Sequence, residues 1–268
     1  MLLKSANLSR STFYYHSKPK AADEGEVKLK ALIKHIYHRH KGRYGYRRIT
    51  IALQKKGHWV NHKKVLRLMR VLGLRSKVRV KKYRSYKGEV GRIAPDHLQR
   101  NFSADKPNEK WVTDVTEFNV KGEKLYLSPI MDLHNGEIIS YQTARRPTLP
   151  LVMNMLKKAY RRLANQQTPM LHSDQGWHYQ HAAYRQKLVD RGLTQSMSRK
   201  GNCLDNAAME SFFGTLKSEL YYLNRYESID ELERDIKQYI HYYNHDRIKQ
   251  KLKGLSPVEY RTQALTSP

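Results

Sequence analysis

The sequence has a single cysteine, Cys203, in 268 residues. An intramolecular disulfide is therefore impossible, and a zinc finger built on several cysteines is excluded. No apolar run approaches the roughly 18 residues that cross a membrane, and the start of the chain, MLLKSANLSRSTFYYH, has too short an apolar segment for a secretory signal. We therefore expect a globular protein of the cytoplasm that has no membrane partner.

Acidic residues are scarce in the first part of the chain. There is none between Val27 and Gly88, and residues 1–100 carry 27 Lys and Arg against 5 Asp and Glu. The net charge is +22 there and +5 over residues 101–268. A solvated surface normally mixes charges of both signs, so this one-sided stretch indicates nucleic-acid binding. A ribosomal protein or a protein that binds a membrane surface has a similar charge pattern.

Residues 1–100 predict a basic, all-α region with helix lengths typical of a helix-turn-helix. Helices are expected at Val27 to Lys41, Tyr46 to Lys56 and Asn61 to Leu72, with Asn61 as the N-cap of the third. The stretch RYGYRR suits contacts with phosphates and bases, although its tyrosines could instead pack between helices. A basic linker, RSKVRVKKYRSYKGEVGR, follows and could track a DNA backbone. The candidate DNA-contacting residues of this region are Arg43, Arg47, Arg48, Lys63, Arg67, Arg70, Lys81 and Lys82.

The second part of the chain begins with strand patterns. Three β-rich runs, WVTDVTEFNV, KLYLSPIMDLHN and GEIISYQTA, are separated by Lys121 to Glu123 and by the hairpin signal Asn135-Gly136. A helix near Leu149 to Leu163, the strand PMLHSD, a helix near Tyr179 to Asp190, the strand LTQSMS and a final amphipathic helix follow. The order βββαβαβα predicts an α/β domain over residues 101–268, with a mixed five-stranded sheet flanked by helices.

Three carboxylates fall at informative places in this order. Asp114 lies within the first predicted strand, Asp174 ends the fourth, and Glu210 lies on the helix after the fifth, SRKGNCLDNAAMESFFGTLKSEL. On that helix Glu210 is off the apolar stripe and shares a polar face with Asn206 and Lys217. A surface helix with an ion pair has the same pattern, so this helix alone leaves both interpretations open.

The spacing and the motifs around these carboxylates resemble the ribonuclease H-like retroviral integrases and DDE transposases. In those enzymes an Asp, a second Asp and a Glu separated from it by 35 residues hold the metal ions, and 35 residues separate Asp174 from Glu210 here. WVTDVTEF, LHSDQGWHY and GNCLDNAAMESFFGTLKSE look in particular like the OrfB products of family three of the bacterial insertion sequences. KGRYGYRRI, LMRVLGLRSK and YNHDRIKQKLKGLSPVEYR extend the resemblance over nearly the whole chain.

The resemblance implies that Asp114, Asp174 and Glu210 are catalytic and bind two Mg²⁺ ions, which Mn²⁺ can replace. Phosphodiester cleavage needs an activated oxygen nucleophile and charge relief on the leaving oxygen, and hard cations prefer oxygen ligands. The resemblance also implies that Lys217 contacts the DNA backbone near the scissile phosphate. Weaker candidates for contact with the same strand are Arg199, Lys200 and Asn206.

Other carboxylates compete for these roles. Glu117, three residues from Asp114, is expected on the opposite face of the strand. Asp132 lies on the second strand and could support the site. Asp205 is expected to start the Glu210 helix in a capping-box arrangement with Asn202.

The histidines offer weaker signals. His172 could support Asp174 from the same strand or could simply pack there. His241 and His245 are four residues apart on a predicted helix, but no third zinc ligand is evident, so a zinc site is not expected. Capping boxes at Ser228 to Glu231 and at Ser256 to Glu259 mark the starts of two C-terminal helices.

We therefore expect a transposase that nicks DNA at the ends of its element by hydrolysis and joins the freed 3′-hydroxyl to another strand. The resemblance implies a copy-out, paste-in route through circular DNA. Expected partners are element and target DNA, a second copy of the chain and an OrfA protein or fusion. A non-catalytic DNA-binding regulator, such as an inhibitor of the fused enzyme, and a ribonuclease H-like nuclease without strand transfer are the alternatives.

Overall fold

The computed structural model describes Ser9, Ser11, Phe13 and residues 24–77, 93–164, 166–199 and 203–266. The chain divides into two compact units, Met1–Lys77 and Val78–Pro268. Several residues predicted from the sequence lie outside the described part of the chain. These are Lys81, Lys82, Lys200 and Asn202.

Three helices form the described core of the first unit, namely α1 (Glu24–Arg39), α2 (Tyr46–Lys55) and α3 (His62–Val71). The Asn61 carboxamide oxygen accepts a hydrogen bond from the Lys63 amide at 2.8 Å, which confirms the predicted cap. Apolar residues at helical spacing form the buried core of this unit and include Leu29, Ile33, Ile36, Ile49, Leu53, Val65, Leu68 and Met69.

The second unit is built on a six-stranded mixed sheet. Its strands are β1 (Lys110–Thr113), β2 (Thr116–Val120), β3 (Glu123–Asp132), β4 (Ile138–Ala144), β5 (Met170–Ser173) and β6 (Thr194–Met197). Strand β3 pairs antiparallel with β1, β2 and β4, whereas β1 pairs parallel with β5, and β5 with β6.

The sixth strand arises because the first predicted strand is interrupted. Both β1 and β2 pair with the long strand β3, and Asp114 and Val115 lie between them. The Asp114 carboxylate accepts a hydrogen bond from the Val115 amide at 2.7 Å. An Asp side chain that binds the neighbouring backbone in this way competes with the strand ladder, which explains the break.

Helices cover both faces of the sheet, as predicted. They are α4 (Leu149–Tyr160), α5 (Trp177–Gln180), α6 (Ala182–Asp190), α7 (Ala207–Glu219), α8 (Ile229–His245) and α9 (Pro257–Thr266). Successive strand residues point to opposite faces, so Trp111 packs in the core with α4 and α6 while Val112 packs in the core with α7 and α8. The Glu210 helix therefore rests on one face of the sheet.

The predicted turns and caps are present around this sheet. Lys121 and Gly122 both have positive φ, +51° and +92°, which is the conformation of a two-residue type I′ hairpin turn. Gly136 has φ +68° in the next hairpin. The Ser228 hydroxyl accepts from the Glu231 amide at 3.2 Å, and Ser256 and Glu259 bond to each other's amides at 3.3 and 2.7 Å. None of the described helices is long and apolar enough to cross a membrane.

Residues 95–98 lie in the second unit and bond to its strand β6. The amides of His97 and Leu98 donate to the Ser196 hydroxyl at 2.9 and 3.2 Å, and the Met197 amide donates to the Pro95 carbonyl at 3.3 Å. These contacts attach residues 95–98 to the edge strand β6.

Candidate active site

The topology brings two of the three predicted carboxylates to the same edge of the sheet. Asp114 directly follows β1 and Asp174 directly follows β5, and these strands are parallel neighbours. Glu210 lies in the first turn of α7. The Asn206 side chain, directly before α7, links this helix to β1, because its amide donates to the Thr113 carbonyl at 3.2 Å. All three carboxylates are partly exposed.

The charges of Asp174 and Glu210 both act on Asp114. Burial raises the pKa of Asp114 well above its usual range, and the charges of Asp174 and Glu210 raise it further. Burial also raises the pKa of Asp174, although the Gly176 amide, 2.9 Å away, opposes this by donating to the carboxylate. Burial raises the pKa of Glu210. Asp114 is therefore the centre of a cluster of like charges.

The three carboxylates do not form a complete metal-binding group in the described part of the chain. Over the described residues, no three His, Cys, Asp or Glu side chains are arranged as a group that could hold a metal ion. The structure places Asp114 and Asp174 side by side at the carboxyl ends of β1 and β5, with Glu210 close enough to affect the pKa of Asp114.

Lys217 places a positive charge beside this cluster. Its ammonium lies 5.2 Å from the centre of the Phe118 ring. Burial lowers the pKa of Lys217, and the charges of Glu117 and Asp114 oppose that shift. In turn the Lys217 charge lowers the pKa of Asp114. A cation close enough to act on Asp114 suits an anionic substrate near that carboxylate.

The capping role predicted for Asp205 at the start of the Glu210 helix was wrong, and Asn202, the predicted cap, lies outside the described residues. Helix α7 begins at Ala207 after a 3₁₀ turn, Cys203–Asn206, and Asp205 does not cap it. The fully buried Asp205 carboxylate instead accepts from Arg100 Nε at 2.8 Å and from three nitrogens of Arg199 at 3.1 Å. Two guanidinium groups satisfy this carboxylate more completely than helix amides could, and they lower the pKa of Asp205.

This network occupies Arg199, which was predicted to contact DNA. Its Nε also lies 3.8 Å from Asp96. The guanidinium therefore ties the turn before α7 to the segment that contains Asp96 and Arg100. In this arrangement Arg199 positions the turn, which is a different role from the predicted DNA contact.

Two other predicted residues near the site also have structural partners. Asn206 is only 4% exposed, so its side chain is not open to a DNA strand. His172 bonds through its two ring nitrogens to the hydroxyls of Ser196 and Ser198 at 2.9 and 3.1 Å. The imidazole therefore bonds to β6 and to the residue just after it. Its two ring nitrogens bond there and not to Asp174, which it was predicted to support.

The rival carboxylates lie elsewhere. Asp132 is fully buried, accepts from the Asn108 amide at 2.9 Å and pairs with Arg261, so it anchors helix α9. Glu117 is exposed and binds Lys124 at 3.2 Å. Neither takes the place of Asp114. 

The rings of His241 and His245 stack 4.4 Å apart. No group of three possible metal ligands forms there among the described residues. The expectation that this pair is not a zinc site therefore stays a prediction.

In the first unit, the predicted DNA-contacting residues divide into two sets. Arg43 is 6% exposed, and Tyr44 is fully buried and stacks on His40 at 3.8 Å, so packing accounts for this part of RYGYRR. The Arg48 guanidinium lies 5.6 Å from the centre of the Tyr44 ring, and Arg67 binds Glu26 at 2.6 Å. Arg47, Lys63 and Arg70 are exposed, and Arg67 is exposed as well although it is paired with Glu26.

Sequence reasoning missed His178. Its Nε2 bonds to the Pro147 carbonyl at 2.7 Å, its ring stacks on Trp177 at 4.0 Å, and its charge lowers the pKa of Asp174. The motif LHSDQGWHY contains both Asp174 and His178, so it could have indicated that His178 lies near the site.

Comparison with known proteins follows the same division of the chain. Integrase core domain models match residues 104–203 and 210–265, and an HTH-like domain model matches residues 24–82. A chain in the solved simian T-cell lymphotropic virus intasome is similar at 18% identity and a TM-score of 0.52, covering 88% of this chain and 75% of that chain. This likeness confirms the ribonuclease H-like fold.

Relatives at higher identity are transposases. The putative transposase InsK for insertion sequence element IS150 of Escherichia coli (strain K12) is 55% identical over 98% of this chain and 93% of its own length. The transposase for insertion sequence element IS904 of Lactococcus lactis subsp. lactis (strain IL1403) is 35% identical over 91% and 98%. The chain therefore belongs to the family of insertion-sequence transposases that carry an integrase core.

Proposed function

We propose that this transposase cuts and joins DNA with Asp114, Asp174 and Glu210 as its catalytic residues. The observation that carries the proposal is that Asp174, at the carboxyl end of β5, and Glu210, in the first turn of α7, both raise the pKa of Asp114 at the carboxyl end of β1. Such a cluster of partly exposed carboxylates has little structural benefit, because like charges repel each other. A cation or a proton is needed to relieve the repulsion.

The three carboxylates do not form a metal-binding group among the described residues, but the chemistry of their donor atoms suits divalent magnesium. The donors are all carboxylate oxygens, which suit a hard cation, and their charge would be neutralised by bound metal. Among the described residues, the buried Asn206 carboxamide oxygen has no hydrogen-bond partner, so it can accept from a water molecule held by an ion. Two bound Mg²⁺ ions, which Mn²⁺ can replace, would supply an activated oxygen nucleophile and stabilise the leaving oxygen.

The chain's own residues would prepare the DNA for this chemistry. Asp114, Asp174 and Glu210 would hold the metal, and Lys217 would contact the phosphate backbone near the scissile bond through its ammonium. The Asn206 amide holds the start of α7 against the end of β1, which keeps Glu210 near Asp114. No side chain has to act as a general base. The reaction is hydrolysis at an element end followed by transfer of the freed 3′-hydroxyl to a target strand.

The basic first unit would deliver the DNA. Its exposed Arg47, Lys63 and Arg70 suit phosphate contacts. Because two element ends must be joined, we infer that at least two copies act together on DNA in the bacterial cytoplasm. An OrfA protein is a further partner in this proposal. Residues 1–100 would bind DNA, and residues 101–268 would carry out the reaction.

A strand-transfer assay tests the proposal. Purified protein is mixed with a labelled, pre-cut element end, target DNA and Mg²⁺, and the wild type is compared with Glu210→Gln and with Glu117→Gln as a matched control. We expect joining by the wild type and the control alone. DNA binding without joining, even after OrfA is added, would favour a non-catalytic regulator. Cleavage of an uncut end without joining would favour a nuclease.

A further inference from the structure

Trp59 is unusually exposed for a tryptophan. Its side chain is 83% exposed, whereas Trp111 is fully buried and Trp177 is 52% exposed. An indole normally buries a large apolar area on folding, so leaving one in water forgoes that stabilisation. Trp59 was assigned no role by the sequence motifs or by the active site.

The turn that presents Trp59 is firmly held. The His58 amide donates to the Leu53 carbonyl at 3.0 Å, the Gly57 amide donates to the Gln54 carbonyl at 2.9 Å, and Asn61 caps α3. Trp59 thus lies two residues before the cap of a helix whose inner face is buried in the core. Its exposure is a property of an ordered turn between two packed helices.

Cationic and aromatic groups surround the same end of α3. His62, Lys63 and Lys64 in the first turn of α3 are exposed. The His62 ring lies 6.0 Å from the Tyr46 ring at the start of α2. The Arg47 Nε donates to the Tyr46 hydroxyl at 3.1 Å. The starts of α2 and α3 therefore form one surface, which we call the Trp59 surface (Tyr46, Arg47, Trp59, His62, Lys63 and Lys64).

The charge of this surface selects its partner. The sequence has no acidic residue between Val27 and Gly88, and Glu26 is occupied by Lys30 and Arg67 at 2.9 and 2.6 Å. An exposed indole surrounded by positive charge suits a polyanion that also has apolar groups on its surface. Duplex DNA has both, because its grooves expose bases and sugars between two rows of phosphates.

We propose that Trp59 contacts duplex DNA, with its indole against base edges or deoxyribose while Lys63 and its neighbours contact phosphates. This inference rests on the proposed function, which makes the first unit the DNA-binding part of the chain. The start of a helix that enters the major groove is where side chains reach base edges. Trp59 would therefore add an apolar contact to a surface that otherwise binds by charge.

The test separates the apolar contact from the charge contacts. Binding of the full chain to a labelled duplex of the element's terminal inverted repeat is measured by fluorescence anisotropy at several salt concentrations. The variants are Trp59→Ala, Trp59→Phe and Lys63→Ala, and the matched control is Val71→Ala, at an exposed position near the other end of α3. Thermal unfolding of each variant checks that the fold is kept.

We expect Trp59→Ala to weaken binding about tenfold, because the change removes the apolar contact of the indole with base edges or deoxyribose. The slope of log K against log salt should stay as in the wild type, because no charge is removed. Lys63→Ala should lower that slope by about 0.9. Trp59→Phe should retain most of the affinity, and Val71→Ala should bind as the wild type does.

Two results would overturn the inference. Wild-type affinity of Trp59→Ala together with weakened Lys63→Ala would show that DNA binds this unit without Trp59, and the proposed function would stand. A salt slope that falls in Trp59→Ala as it does in Lys63→Ala would show that the lost affinity comes from phosphate contacts, so that the indole makes no apolar contact of its own with DNA. Absence of any binding by the wild-type chain would overturn the proposed DNA-binding role itself.

Discussion

The charge of Asp174 raises the pKa of Asp114 across two neighbouring parallel strands. Each aspartate directly follows the last residue of its strand, so the parallel pairing of β1 with β5 brings the two carboxylates together. Two carboxylates that share a site cannot both ionise without cost. A cation bound at this pair would therefore relieve the repulsion between the two carboxylates.

Replacing Asp114, Asp174 or Glu210 by Ala should abolish DNA cleavage and joining. We expect a loss of more than about 10³-fold in rate, because each change removes an oxygen ligand that the others cannot replace. Binding to element DNA should stay within a few-fold of the wild type. A gel assay of joining, with anisotropy for binding, measures both. Retained joining in any one variant would remove that residue from the proposed catalytic set.

Asp114→Asn should stabilise the metal-free protein near neutral pH. The raised pKa of Asp114 means that the folded chain binds this proton more tightly than the unfolded chain. Its contribution to stability is therefore present below the unfolded pKa of about 3.9 and is lost as pH rises through the folded pKa. In EDTA we expect a higher Tm for the variant, by about 2–4 °C per kcal/mol gained.

Magnesium provides the second half of this experiment. Added Mg²⁺ should raise the Tm of the wild type and have a smaller effect on Asp114→Asn, because the variant has less repulsion to relieve. Equal shifts in the two proteins would mean that the ion binds away from Asp114.

Asp205→Asn should destabilise the second unit by about 2 kcal/mol, because a buried carboxylate loses charge-assisted bonds to Arg199 and Arg100. The matched control is Asp190→Asn, since Asp190 is exposed and binds Lys187 at only 3.6 Å. Urea unfolding measures both changes. Equal, small effects would show that the Asp205 network contributes little to the fold.

Asn206→Ala should weaken Mn²⁺ binding by about 10- to 100-fold, the usual effect of removing a group that supports a metal site indirectly. The amide would no longer hold the end of β1, and the free carboxamide oxygen would be lost. Titration followed by Mn²⁺ electron spin resonance gives the affinity without any need for catalysis. Unchanged affinity would leave Asn206 with a structural role only.

Local patterns predicted the elements of this fold well. Turn glycines, the Asn61 cap and the capping boxes at Ser228 and Ser256 depend on residues within four positions of each other, so the sequence contains all the partners. The hydrophobic periodicity likewise located the helices and strands. The break at Asp114 was missed because a side chain competed with the strand for a backbone amide.

The partners of charged side chains were predicted poorly. Asp205 meets Arg100 from 105 residues away, and Asp132 meets Arg261 from 129 residues away. Nothing in the local pattern distinguishes such carboxylates from a helix cap or a ligand. Arg43 was expected on the surface for its charge, yet the packing of Tyr44 and His40 places it inside the first unit.

The sequence by itself determined the order of the elements, the charge contrast between the two parts of the chain and the motifs that contain Asp114, Asp174 and Glu210. The tertiary structure alone decided which charged groups meet, which cations are buried, and that Trp59 is exposed. The physical reason is range. Propensity and hydrophobic period act over a few residues, whereas pKa values and ion pairs depend on groups that only folding brings within a few ångströms.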